Sequence, residues 1–351
     1  MRILIVKLGS IGDIVHALPA LAAIRRTLPE AEISWVVEKR AAEILRGNPF
    51  LTNLIEIDTR ALRGRKTTLA EKYEQARGQL ENLRAAKYDI ALDFQGLHKS
   101  ALIAKLSAAP RRVGFEKAVL REPTSRFLMT ETVKIPAKTH IIRKNLLLAE
   151  KALQIEIPAD ANEFDFPIGT EEKHEHEAVE IIEKNGADFA ILNPGGGWAT
   201  KLWDARRFGK LADEIWRKFN LKSVVTFGPG EEDLVETVVA TAKSKQAFAA
   251  DLSLKGFYHL ARQAKIYVGG DTGPTHLAVA ARAPIIGLFG PTEWWRNGSP
   301  FERDVCVERA DIDCRADCHR RNCSNWICLD IEVETVLRAI EKRLKLETIG
   351  Y

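Results

Sequence analysis

Three short stretches bring glycines, hydroxyls and charged side chains together at spacings suited to holding an anion. Between Asn193 and Lys201, the consecutive glycines Gly195, Gly196 and Gly197 leave backbone N–H groups open, Thr200 adds a hydroxyl and Lys201 a cation, a set that suits a diphosphate. The same residues would also make a flexible turn with a solvated lysine. Between Gly269 and Ala278, Pro274 fits the first turn of a helix, so Thr272, Gly273 and the free amides behind them form a second anion seat at a positive helix end. Asp271 precedes that seat and His276 lies in the first turn. A histidine there is commonly a structural partner, but an Asp-Thr-Gly turn beside it is hard to explain by packing. The third stretch runs from Gly9 to Asp13, where Gly9 and Gly12 permit a tight turn and Asp13 sets a carboxylate at the mouth of a helix. Such a carboxylate is either a cap or a base. The stretch lacks the third glycine of a dinucleotide fingerprint and the lysine of a P-loop.

Ligands in open α/β sheets sit beyond the carboxyl ends of strands, so each stretch needs a strand before it. Short Val- and Ile-rich runs supply them: Ile3 to Val6, Ile33 to Val37, Leu54 to Ile57 and Ile90 to Phe94 in the first half, and Phe189 to Leu192, Val224 to Phe227, Lys265 to Val268 and Pro284 to Phe289 in the second. Amphipathic segments alternate with them, which predicts parallel sheets covered by helices. Leu18, Leu21, Ile24 and Leu28 follow helical spacing, and the segment from Leu69 to Lys87 is helix-like with a thin apolar stripe. Pro19 predicts a kink or a late start in the helix after Asp13. A helix from Thr139 to Leu153 is followed by Pro158 and Pro167, which mark a domain boundary. The chain closes on a helix from Ile331 to Leu346, with Val333, Val336, Leu337, Ile340 and Leu344 on one face.

With 351 residues the chain suits two domains, and 46% hydrophobic against 28% charged residues is enough apolar material to fold throughout. A net charge of +4 is too weak to imply nucleic acid without a reader motif, and none is present. The apolar run at the N-terminus breaks at Lys7, which fits a buried strand better than an export signal, and no run approaches the roughly 18 apolar residues of a membrane span. All five cysteines, Cys306, Cys314, Cys318, Cys323 and Cys328, fall near the C-terminus. Their spacings could ligate zinc or an iron–sulfur cluster, but no paired CxxC occurs, so buried thiols or a redox disulfide are expected rather than a metal.

The opening RILIVKLGSIGDIVHALPAL, the stretch DFQGLHKSAL, the triplet REP at Arg121 to Pro123 and the block GGDTGPTHLAVAARAPIIGLFGPTE resemble the inverting, ADP-heptose-using lipopolysaccharide heptosyltransferases of glycosyltransferase family 9. The resemblance spans the chain and is strongest to members acting on Kdo-lipid A. It implies an α/β, GT-B type fold of two doubly wound Rossmann-like domains facing across a cleft. Residues 1–160 would bind the acceptor, residues 161–330 the nucleotide sugar, and residues 331–351 would pack back on the first domain.

By the same resemblance Asp13 is the general base and Lys201 counters the charge on departing ADP. Gly195, Gly196, Thr200, Lys201, Asp271, Thr272, Gly273 and His276 would line the donor site. Glu231 would hold the ribose hydroxyls, with Glu232 close enough to leave that choice open. Gly9, Ser10, Gly12, Arg60, Arg63, Gln95, Lys99 and Arg121 would meet the acceptor. The cysteine cluster is more like that of other members of the wider family.

Elementary chemistry agrees with that assignment. Inverting transfer needs a base on the acceptor hydroxyl, opposite the leaving diphosphate. No DxD-type metal motif occurs in the first half, so neither metal nor cofactor is expected. A Kdo-lipid A acceptor carries carboxylates and phosphates, for which Arg60, Arg63, Arg65, Lys66, Lys99 and Arg121 form a basic cradle, although Arg65 and Lys66 equally suit a solvated loop. Those cations would also hold a cytoplasmic enzyme peripherally to the anionic inner face of the inner membrane, each adding roughly 1 kcal/mol. Competing readings are a heptosyltransferase with another core acceptor, another nucleotide-sugar enzyme such as an epimerase, and a non-catalytic nucleotide-sugar sensor with no use for Asp13.

Overall fold

The computed structural model describes residues 1–59, 78, 81–157, 164–316 and 318–348. The chain divides into two compact units, Met1–Gly169 and Thr170–Tyr351.

In the first unit, strands β1 (Arg2–Val6), β2 (Glu32–Glu38), β3 (Asn53–Ile57), β4 (Ile90–Asp93), β5 (Arg111–Phe115) and β6 (Glu131–Val133) form one parallel sheet in the order β3-β2-β1-β4-β5-β6. Ile3, Leu4, Ile5 and Val6 of β1 are wholly buried, which is why the strand reads as an unbroken apolar run. Pro19 resolves as a break followed by a fresh start: a short helix, Ile11–Val15, ends before a second helix, Leu18–Thr27, which takes the proline in its first turn.

The second unit repeats the plan. Strands β7 (Phe189–Asn193), β8 (Lys222–Thr226), β9 (Ala247–Ala250), β10 (Ile266–Gly270), β11 (Ile285–Phe289) and β12 (Val305–Glu308) are parallel in the order β12-β11-β10-β7-β8-β9. Chain order reverses between β1 and β4 in one sheet and between β7 and β10 in the other. At such a point consecutive connections run to opposite faces, leaving a crevice at the strand ends for ligand.

Four strands escape the periodicity of the sequence: β5, β6, β9 and β12. Their residues (RRVGF, ETV, AFAA and VCVE) are short, mixed or small-sided, and β6, β9 and β12 lie at sheet edges, where fewer side chains face a core.

The limits of each unit have local causes. The first unit runs past residue 160 to Gly169, because Asn48 donates from Nδ2 to the Pro167 carbonyl at 2.7 Å and Phe164 and Phe166 are buried. The terminal helix, Val333–Thr348, packs into the core of the second unit. Its Val336, Leu337 and Ile340 are buried with Trp203, Phe208, Leu211 and Ile215, while Trp203 Nε1 donates to the Ile331 carbonyl at 2.9 Å. Among the described residues no helix is long and apolar enough to cross a membrane.

Candidate functional site

In the second unit the glycine loop leaving β7 and the Asp-Thr-Gly turn leaving β10 emerge side by side, since β7 and β10 are paired neighbours. Lys201 joins them: its Nζ donates to Asp271 Oδ2 at 2.5 Å and to the Asp271 carbonyl at 3.0 Å, and it lies 4.4 Å from the Trp198 ring centroid. Asp271 is almost wholly enclosed. Its Oδ1 faces Nε2 of His276 at 3.1 Å and accepts from Asn297 Nδ2 at 2.5 Å. Burial alone would push this carboxyl up, but the His276 and Lys201 contacts outweigh it and hold it well below the usual carboxylate range. The cluster is therefore a fixed array with Lys201 at its less buried end, able to meet an anion without reorganising.

Thr272 caps the helix Gly273–Ala280 in extended backbone, and its hydroxyl lies 3.2 Å from that of Thr275. Thr275 in turn donates to the Gly270 carbonyl and meets the Tyr267 hydroxyl at 2.9 Å. This chain of hydroxyls fixes the turn that presents Gly273 and the amides of the first helical turn.

Glu231 and Glu232 are separated by the structure. Glu231 bridges two loops, its Oε1 accepting from Gly196 N and its Oε2 from Gly228 N, both at 2.8 Å. Gly195 is glycine because a Cβ there would run into the Glu231 carboxylate. Glu232 is exposed and accepts from Gly230 N at 3.2 Å. Thr200 differs from expectation: it is buried, and its hydroxyl donates to the Arg320 carbonyl at 2.7 Å. Its proton is committed to an anchor rather than open to a phosphate.

In the first unit, the loop after β1 carries Gly9 at φ +136°, a left-handed value that disfavours side chains. Ser10 precedes the helix Ile11–Val15, in which Gly12 is buried, and Asp13 Oδ2 accepts from Ser10 N at 2.9 Å and from the Ser10 hydroxyl at 3.3 Å. The other oxygen, Oδ1, lies 3.5 Å from Nζ of Lys7. Lys7 is buried and donates to the Phe94 carbonyl at 3.0 Å. Asp13 is thus a cap by geometry, yet it remains partly exposed and is oriented by a buried cation. Gln95 Oε1 accepts from Leu8 N at 3.1 Å, tying the β4 loop to the β1 loop. That loop is shaped from below by Asp93, whose Oδ1 accepts from Gln95 N and Gly96 N at 3.0 Å each and whose Oδ2 accepts from Ser100 Oγ at 3.1 Å. Burial pushes the Asp93 carboxyl up to about 6.

Of the six cations expected at the acceptor, Lys99 and Arg121 fall among the described residues. Lys99 is paired with Glu38 and Thr59, a contact that outweighs burial and holds the Glu38 carboxyl below its ordinary value. Arg121 is exposed, with no ion-pair partner among the described residues. Arg60, Arg63, Arg65 and Lys66 lie outside the described residues. All five cysteines are free thiols, and burial raises those of Cys306 and Cys328. Among the described residues no three His, Cys, Asp or Glu side chains are grouped to hold a metal ion.

Sequence reasoning missed Lys7, Asp93, Trp198 and Asn297. Lys7 had a signal, since a lysine between Val6 and Leu8, directly after an apolar strand, must find a partner if it is buried. Asn297, 26 residues from Asp271, had none.

The sequence profile described as glycosyltransferase family 9 (heptosyltransferase) matches residues 78–326. Lipopolysaccharide heptosyltransferase 1 of Pseudomonas aeruginosa is 27% identical over 325 residues, covering 92% of this chain and 88% of that protein. The solved structure of Escherichia coli heptosyltransferase WaaC with ADP matches with a TM-score of 0.78 at 24% identity, over 98% of this chain and all of that one. A glycosyltransferase family 9 structure from Veillonella parvula gives a TM-score of 0.80 at 22% identity, over 98% and 97%. At these identities the two structural likenesses concern the fold. With a family profile matched over more than half its length, the chain belongs to glycosyltransferase family 9, the heptosyltransferase family.

Proposed function

We propose that this chain is an inverting glycosyltransferase that transfers heptose from ADP-heptose to the inner core of lipopolysaccharide, with an acceptor of the Kdo-lipid A type. The observation that carries the reading is the Lys201–Asp271–His276–Asn297 cluster at the reversal point of the second sheet, within a family 9 chain. Such an array suits a leaving group whose negative charge grows during the reaction. The relative named lipopolysaccharide heptosyltransferase 1, and the ADP in the matched E. coli structure, support this choice of nucleotide and sugar.

Asp13 takes the proton of an acceptor hydroxyl as that oxygen attacks the anomeric carbon. The bond from that carbon to the diphosphate breaks on the opposite face, the configuration inverts, and ADP departs with the bonding electrons. Lys201 and the amides beyond Thr272 and Gly273 stabilise the diphosphate without a metal. Thr200 holds the lysine's loop in place, and Glu231 is the carboxylate set to meet the ribose hydroxyls. Transfer requires that Asp13 of the first unit reach an acceptor while the second unit holds the donor. Gly9, Ser10, Gly12 and Gln95 shape the acceptor side, with Arg60, Arg63, Lys99 and Arg121 as its cations. Because that acceptor is anchored in lipid, the enzyme works peripherally at the anionic cytoplasmic face of the inner membrane.

The test is to incubate the purified chain with Kdo-lipid A and either ADP-heptose or UDP-sugars, and to follow acceptor mass. Gain of one heptose from ADP-heptose alone is expected. Turnover of a UDP-sugar, or binding of ADP-heptose without transfer to any core acceptor, would refute the reading.

A further inference from the structure

We propose that Arg321, in the cysteine-bearing segment, is a second cation for the donor diphosphate, acting beside Lys201. The assignment rests on the nucleotide-sugar reading above and deepens it. Trp198 is the meeting point. Its ring carries Lys201 Nζ at 4.4 Å from the centroid and the Arg321 guanidinium carbon at 5.0 Å. Two cations on one indole gain from its π-face but repel each other, and an anion between or beside them relieves that repulsion.

The chain around Arg321 is fixed rather than loosely draped. Thr200, one residue before Lys201, is buried and donates its hydroxyl to the Arg320 carbonyl at 2.7 Å, so residues 320 and 321 are fastened to the glycine loop itself. Just upstream, His319 N donates to the Pro291 carbonyl at 2.9 Å. Arg315 is buried, reaching the Gly290 carbonyl at 3.2 Å, the Thr292 carbonyl at 3.3 Å and Glu308 at 2.8 Å. These bonds tether the segment to loops leaving β7 and β11.

Charge explains why a second cation is needed. Lys201 is paired at 2.5 Å with Asp271, so much of its field is cancelled before any ligand arrives. Arg321 is exposed and has no carboxylate partner among the described residues. Its planar fork offers two parallel N–H groups matched to two oxygens of a diphosphate, whereas an ammonium acts as a point charge without that fixed geometry.

The experiment is calorimetric titration of the full-length chain with ADP and with AMP, for wild type and for Arg321→Ala, Arg321→Met and Arg321→Lys. Met keeps an apolar stem on Trp198 without charge, and thus separates packing from electrostatics. Wild type should prefer ADP to AMP. Arg321→Ala and Arg321→Met should each lose roughly tenfold or more in ADP affinity with AMP affinity within about threefold, and Arg321→Lys should recover part of the loss. Unchanged ADP affinity in Arg321→Met, or equal losses for ADP and AMP, would overturn the assignment while leaving the nucleotide-sugar reading intact. A wild-type chain that binds no ADP would overturn both.

Discussion

Asp13 is where a cap and a base are hardest to distinguish by geometry, because Ser10 uses one carboxylate oxygen while Lys7 orients the other. Substitution separates the roles. Asp13→Asn keeps an oxygen for Ser10 N–H but removes the proton acceptor. Single-turnover transfer should therefore fall by about 10²- to 10⁴-fold, with ADP affinity within about twofold of wild type. Transfer within about threefold would show that the proton goes elsewhere. Lys201 needs a paired design, since Lys201→Ala also takes the ammonium partner from the buried Asp271 carboxylate, leaving it His276 and Asn297. We expect a higher donor KM, a lower kcat and a stability loss of about 3–5 kcal/mol. The double variant Lys201→Ala, Asp271→Asn should regain most of the stability in urea melts and none of the activity. Recovered activity would remove the lysine from the chemistry.

At the scale of elements, the β4 loop owes its shape to Asp93, whose carboxyl has an ordinary value of 3.8 and is raised to about 6 by burial. The folded state thus binds this proton more tightly than the unfolded chain does. Its contribution to stability is fully present below about pH 4 and is lost as pH rises through about 6. Asp93→Asn should flatten that fall, read as a smaller difference between urea midpoints at about pH 4 and about pH 7 than in wild type. Identical pH profiles would mean that Asp93 is not held in this way. A second element-level test is Gly209, where the helix Ala205–Phe219 crosses the helix Glu232–Thr241. A Cβ at 209 would lie 2.7 Å from the Val238 carbonyl oxygen and 2.6 Å from Thr241 Cβ. Gly209→Ala should cost about 1–3 kcal/mol in thermal melts while leaving ADP affinity unchanged below the transition. An unshifted melting temperature would contradict this close approach.

Across the whole molecule, the residues proposed for the donor site lie in one unit. Gly195, Gly196, Thr200, Lys201, Glu231, Asp271, Thr272, Gly273, His276, Asn297 and Arg321 all fall within Thr170–Tyr351, which has its own six-stranded sheet and core. Residues 170–351 expressed alone should fold and bind ADP within about tenfold of the full chain, with no transfer. Loss of ADP binding in a folded fragment would place part of the nucleotide site in the first unit. Ending the fragment before Val333 should instead prevent folding, because Val336, Leu337 and Ile340 fill the core of this unit.

The sequence by itself determined the chemistry-bearing loops, the central strands and the doubly wound class. Glycines, prolines and charges in the loops after β1, β7 and β10 act locally, and central strands buried on both faces leave unbroken apolar runs. The edge strands β6, β9 and β12 and the partners that fill the core around the terminal helix were not legible, since each depends on a surface built from distant residues. Asn48 reaching Pro167 and Trp203 reaching Ile331 leave no local pattern. The same holds for function: Lys201 is a solvated cation or an organised one according to whether Asp271, 70 positions away, lies against it. Only the pairing of β7 with β10 decides that, because hydrogen bonding between those two strands carries their loops to one end of the sheet.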